Sequence, residues 1–238
     1  MKYFFSSFRF FGPIINIQRE LQMKIKQSLL IVGFILMQNG LWAAQSEDYK
    51  VKISEDIPYV DVDVLGTPMR IDRIQDTKFR LKNSYTKTSR PCPPFCVQPF
   101  EPIKGIETYG EIEVLDFLKN VVTNNEGVVV DARLPKWYKE GTIPGAINLP
   151  FSILNPDSSN VYLDQVLPIL GAVKNGDKWD FANSQKLMVF DNGPWCQQGV
   201  RAMKNLLEIG YPKDKVKYYR GGMQYWQILG LKVYKPKQ

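Results

Sequence analysis

The stretch Val189-Phe190-Asp191-Asn192-Gly193-Pro194-Trp195-Cys196-Gln197-Gln198-Gly199-Val200-Arg201-Ala202 decides how this chain folds. Leu187 to Phe190 is a short apolar run of the kind that forms a buried strand. Asn192, Gly193 and Pro194 then signal a turn. Beyond it Val200, Met203, Leu206 and Leu207 recur at helical spacing. Cys196 therefore stands between a strand end and a helix start. Backbone N–H groups there lack helical partners and the helix dipole is positive. Such a place favours the thiolate, the reactive form of cysteine.

Composition narrows the chemistry. Of 238 residues, 44% are hydrophobic and 23% charged, enough for a packed core. The net charge of +7 is concentrated at the start: Lys2, Arg9, Arg19, Lys24 and Lys26 stand against Glu20 alone in residues 1–44, which leaves +3 for the remainder. No dense basic stripe follows, so nucleic acid is not an expected partner. The chain has no histidine, which removes Ser-His-Asp triads, Cys-His pairs and histidine-based zinc sites. No metal and no cofactor are expected.

Outward from the loop, the chain from residue 106 alternates strands and helices. Gly127 to Arg133 reads as a buried strand ending in an acid, and Tyr109 to Leu118 as a helix. A short helix is expected over Pro135 to Lys139, a strand near Ile147, a helix over roughly Asp164 to Lys174, and a last strand over Lys215 to Arg220 with a helix through Ile228. This order predicts an α/β domain over residues 106–238, a parallel sheet with helices on both faces. Its site should lie at the carboxyl ends of the strands, where Asp131, Cys196 and Arg220 fall.

Residues 1–44 hold a secretory signal: Lys24 and Lys26, then an apolar core from Leu29 to Met37, then small residues ending at Ala43-Ala44. Translation starting at Met23 explains the 22 residues ahead of it; the rival is an uncleaved membrane anchor. Either places the working domain outside the cytoplasm, in the periplasm of a bacterial envelope, with a membrane contact only if the segment is retained. Residues 45–90 form a small β-rich region, with alternating runs at Tyr49–Ile53, Tyr59–Leu65, Met69–Ile74 and Lys78–Lys82. It carries no chemical motif and is expected to pack on the main domain. Residues 91–105 read as a proline-rich, extended linker. In an exported chain with three cysteines, Cys92 pairing with Cys96 and Cys196 remaining free is the economical assignment. A resolving or relay dithiol working with Cys196, and an exported redox protein as its partner, is the functional alternative.

Four ordered segments over residues 106–235 resemble the rhodanese (sulfurtransferase) family. They are Val129 to Arg133, Gly141 to Asn148, Cys196 to Ala202, and Arg220-Gly221-Gly222-Met223 with Trp226 and Gly230. Thr142 stands where the family has histidine. Cys196 to Arg201 spans Cys-x4-Arg, whereas related phosphatases use a loop one residue longer. The shorter loop suits a single extra sulfur atom. The resemblance implies a rhodanese-like parallel sheet and Cys196 as the nucleophile. Gln197, Gln198, Gly199, Val200 and Arg201 would form the persulfide-binding loop, with Asp131 and Arg133 in support. The loop N–H groups from Gln197 to Arg201 are expected to point inward as an anion nest, Cys196 to be ionised at neutral pH, and Arg201 to brace loop carbonyls or Asp131. Arg133 is expected to form a salt bridge, with Glu140 a candidate partner. The implied reaction moves a sulfane sulfur from a small donor, thiosulfate or a persulfide, through a Cys196 persulfide to cyanide or a thiol. The neutral side chains of Gln197, Gln198 and Val200 favour a persulfide over thiosulfate. A non-catalytic binding module on the same scaffold is the remaining alternative.

Overall fold

The computed structural model describes residues 49–157 and 159–236. The expected signal segment lies outside the described residues. Residues 50–238 cluster as one compact unit. Its centre is a five-stranded, all-parallel sheet. The chain begins with a hairpin of β1 (Tyr59–Val64) and β2 (Thr67–Asp72). It continues through β3 (Thr108–Tyr109), α1 (Glu111–Phe117), β4 (Gly127–Asp131), α2 (Pro135–Glu140) and β5 (Ile147–Asn148). Next come α3 (Leu163–Ile169), β6 (Val173–Asn175), β7 (Lys178–Asp180) and β8 (Lys186–Phe190). The chain closes with α4 (Gln198–Ile209), β9 (Val216–Tyr219) and α5 (Gly222–Ile228). The sheet order is β3-β9-β8-β4-β5, so the strand leading to Cys196 is central.

The period of two along each strand splits the core between the sheet faces. Leu187 and Val189 of β8, Val130 of β4 and Val216 of β9 face α3 and α4, with Leu167, Met203 and Leu206. Met188, Phe190 and Val129 face the other way, against Val114 and Leu118 after β3 and Met223 and Trp226 of α5. Val60, Val62 and Ile71 of the β1–β2 hairpin and Tyr85 join this second cluster. The N-terminal β region is therefore part of the domain's packing. Two residues at positive φ, Leu65 at 51° and Gly66 at 80°, close the hairpin, as the tight connection of a right-twisted pair demands.

Several expected elements differ. Residues 49–53 and 78–82 are bends and coil rather than strands; alternation alone does not make a strand without a partner edge. The helix expected to run to Lys174 stops at Ile169, followed by Gly171 at φ 80°. Residues 173–180 instead pair as a hairpin through Gly176. The proline-rich segment is not extended. It turns back through a Cys92–Cys96 disulfide, Cα–Cα 4.6 Å, with the Phe95 N–H donating to the Pro91 carbonyl at 3.0 Å. Among the described residues no helix is long and apolar enough to cross a membrane.

Candidate active site

Cys196 follows β8 at the carboxyl edge of the sheet, two residues ahead of α4. It is a free thiol, 7% exposed. The turn that carries it is fastened at both ends. The Cys196 N–H donates to the Gly193 carbonyl at 2.8 Å. At the start of α5, the N–H groups of Met223 and Gln224 donate to the carbonyls of Asp191 and Asn192, each at 3.0 Å. This requires close backbone approach: a Cβ on Gly222, whose φ is 54°, would collide with the Asp191 carbonyl and the Gly193 nitrogen. The Gly-Gly pair is thus part of the cysteine loop's support.

Asp191 is fully buried and occupies part of the expected anion nest. Its Oδ2 accepts from the Gly199 N–H at 2.8 Å and its Oδ1 from the Gly193 N–H at 3.1 Å. The Arg201 N–H donates to the Gln197 carbonyl at 2.9 Å. Of the N–H groups expected to face the sulfur, Gln198 does so, and Asn192 adds its own backbone N–H and its Nδ2, 3.7 Å from Sγ. Gly199 matters for space: a Cβ there would stand 3.1 Å from the Tyr218 ring and 3.2 Å from Asp191 Oδ2.

The ionisation state also differs from expectation. Burial, and then the negative charge of Asp191, push the Cys196 thiol up to about 12, against the opposing help of the Gln198 and Asn192 donors. Burial likewise raises Asp191 to about 6 despite its backbone donors. The resting cysteine is a thiol, because desolvation of the charged form outweighs the helix terminus.

A buried polar chain links the ends of β4 and β8. Arg133 meets Asp131 side-on, Nε–Oδ1 at 2.8 Å and Nη2–Oδ2 at 2.6 Å, with both side chains inaccessible. Its Nη1 donates to the Tyr85 hydroxyl at 3.0 Å, and that hydroxyl donates to Asn192 Oδ1 at 2.7 Å. Asn192 then faces Cys196. Thr142 donates to Asp131 Oδ2 at 2.8 Å, and Gly141 supplies a carbonyl to Arg133 at 2.7 Å. Asp131 and Arg133 are therefore a framework pair, and the candidate partner Glu140 is not used. Arg201 braces neither Asp131 nor the loop. It is exposed, its guanidinium 5.7 Å from the Phe151 ring centroid. Val200 is buried in the core, Gln197 is exposed and Gln198 half-buried. Arg220 leaves the site and donates to the Gln98 and Pro99 carbonyls at 2.8 and 3.2 Å.

Over Cys196 lies a cavity of about 410 Å³. Arg201, Gln197, Gln198, Trp195 and Phe151 line it, together with Tyr85, Arg90, Pro94 and Phe95 from ahead of the α/β domain. The disulfide turn is pinned to the cysteine loop by the Gln98 N–H, which donates to the Pro194 carbonyl at 2.7 Å, and by edge-on contact of Phe95 with Trp195, centroids 5.6 Å apart. Trp226 by contrast is entirely core. Sequence reasoning passed over Tyr85, Asp191 and Asn192. The last two lay in the decisive stretch, but nothing in the residues marked their direction; Tyr85 carried no local signal at all.

Residues 114–229 match the model of the rhodanese-like domain. Solved structures similar to the chain include a protein from Bacillus halodurans, 20% identical, TM-score 0.40, covering 54% of this chain and 76% of that one. A rhodanese-related protein from Thermoplasma volcanium is 18% identical, TM-score 0.35, covering 55% and 99%. The human single-domain sulfurtransferase TSTD1 is 21% identical, TM-score 0.36, covering 51% and 93%. No curated protein sequence matches this chain.

Proposed function

Residues 114–229 of this chain are a rhodanese-like domain, and on that premise we propose that the protein is a sulfurtransferase acting through a Cys196 persulfide. One observation carries the proposal: the sole free cysteine is held at the carboxyl edge of the parallel sheet, at the foot of a cavity, with N–H donors aimed at its sulfur. A persulfide places its charge on the outer sulfur, farther from Asp191 and nearer the cavity than the resting thiolate would be.

The reaction runs in two displacements. The Cys196 proton passes to the neighbouring Asp191 carboxylate as sulfur attacks the sulfane sulfur of the donor. With thiosulfate as donor, the new S–S bond forms as the donor's S–S bond breaks, and the electron pair leaves with sulfite. Cyanide or a thiolate then takes the outer sulfur, giving thiocyanate or a persulfide and returning Cys196. This is covalent catalysis with ping-pong kinetics. Asn192 and the Gln198 N–H orient and stabilise the anionic sulfur. The Asp131–Arg133–Tyr85 chain holds Asn192 in place. Cys92 and Cys96 are joined to each other, so a relay through them would first require that disulfide to open. Export to the periplasm belongs to the same proposal, on the strength of the signal segment and the disulfide.

The test is mass spectrometry of the intact chain after exposure to thiosulfate or a polysulfide. A gain of one sulfur atom, absent in Cys196→Ser, is expected. A chain that gains no sulfur from any donor is a binding module instead.

A further inference from the structure

The polar network beside Cys196 has its far end outside the matched domain. Tyr85 belongs to a single 3-10 turn, Ser84–Thr86, ahead of residue 114, where the family match begins. Two amides of α5 hold this turn. Gln227 Oε1 accepts from Asn83 Nδ2 at 2.6 Å, and Gln224 Nε2 donates to the Tyr85 carbonyl at 3.1 Å. The other end of the Gln224 amide, Oε1, accepts from the Trp195 indole N–H at 2.6 Å. Trp195 directly precedes Cys196, so one amide ties the turn to the cysteine loop. The Tyr85 side chain is buried in the cluster with Phe190, Met223 and Trp226.

The Tyr85 hydroxyl stands between a guanidinium and an amide, and the chemistry of the two ends sets the direction of each hydrogen bond. A guanidinium has donors only, so Arg133 Nη1 gives its hydrogen to the Tyr85 oxygen, at 3.0 Å. Asp131 pins that guanidinium side-on. The hydroxyl proton is left for the other neighbour, Asn192 Oδ1, at 2.7 Å. Arg133 Nη1 also points at Oδ1, at a longer 3.5 Å. With Oδ1 committed to donors, the amide presents its Nδ2 to Cys196 Sγ, 3.7 Å away. An amide released from these donors could turn over and set its oxygen against the sulfur, since its two ends are nearly equal in size. An N–H facing a thiolate or persulfide anion stabilises it; a carbonyl oxygen in the same place repels it.

Resting on the reading of Cys196 as the reactive sulfur, we infer that Tyr85 is a positioning residue of this site: its hydroxyl, oriented by Arg133, fixes which end of the Asn192 amide faces Sγ. Tyr85 acts through Asn192 and not on the sulfur. The region ahead of the family domain therefore contributes to the reactivity of the cysteine as well as to packing.

The experiment follows alkylation of Cys196, the sole free cysteine, by iodoacetamide at about pH 8 in the full chain. Tyr85→Phe, Asn192→Ala and the double variant are compared with the unaltered protein. Phe keeps the ring in its cluster, and Asp191 stays in place in all four. In Tyr85→Phe the rate is expected to fall about threefold or more. That is a tenfold loss of thiolate, offset about half on a logarithmic scale by the greater nucleophilicity of a more basic sulfur. On the Asn192→Ala background the same change is expected to do nothing further, the mark of two residues acting in series. A merely structural role moves the rate the other way, because a loosened turn uncovers a thiol that is 7% exposed. A rate that holds or rises in Tyr85→Phe, or that falls equally on the Asn192→Ala background, overturns the inference. Alkylation needs no sulfur donor. A chain that shows the coupling yet gains no sulfur keeps the positioning role and loses the sulfur-transfer reading.

Discussion

Cys196 and Asp191 are held together by the same turn, and their charges oppose one another. The carboxylate is stabilised by the Gly193 and Gly199 N–H groups, and its charge adds to burial in pushing the thiol to about 12. Alkylation by iodoacetamide follows the thiolate fraction. Its rate should therefore keep climbing beyond pH 10, where an ordinary thiol of pKa about 8.5 has already levelled off. Asp191→Asn removes the negative neighbour, which favours the charged form and lowers the thiol's pKa. At pH 7 the variant should be alkylated faster, by about tenfold for each unit of fall. Slower sulfur transfer in the same variant would mark Asp191 as the proton acceptor. A rate plateau near pH 8 in the unaltered protein would contradict this account.

Among the elements, the disulfide turn is the one whose role changed most between sequence and structure. Proline content suggests a stiff spacer; the folded segment is a wall. Gln98 reaches the Pro194 carbonyl, Arg220 holds the carbonyls of Gln98 and Pro99, and Phe95 meets Trp195. The Cys92–Cys96 loop is short, with a sequence separation of 4, so chain-entropy reasoning assigns its closure about 2 kcal/mol. The double variant Cys92→Ser, Cys96→Ser should lose about that much stability in urea unfolding. An unchanged midpoint would show the turn to be held by its Arg220 and Gln98 contacts without the disulfide.

The whole molecule is larger than its family domain. The match begins at residue 114, yet Val60, Val62, Ile71 and Tyr85 are buried with Phe190, Met223 and Trp226. Removing everything ahead of residue 106 exposes one face of the sheet and leaves Arg133 and Asn192 without the Tyr85 hydroxyl. Residues 45–238 should unfold in a single thermal transition. Residues 106–238 alone should fail to unfold cooperatively, as followed by circular dichroism. A sharp transition in the shorter chain would show that the extension only decorates the fold.

The apolar run before Cys196, the helical period after it and the alternation of strands and helices determined the parallel sheet and the placing of the cysteine at its carboxyl edge. These are local patterns, and local patterns survive in a linear string. The absence of histidine excluded histidine-based catalysis in the same way. The tertiary structure alone decided that Arg133 rather than Arg201 holds Asp131, that Asp191 fills part of the nest, and that the resting sulfur is protonated. It alone brought Tyr85, Arg90 and Phe95 over the cysteine, from a part of the chain more than a hundred residues away. The reason is physical: burial and side-chain direction depend on what packs from elsewhere, and a residue's period says which face it is on but not what that face meets.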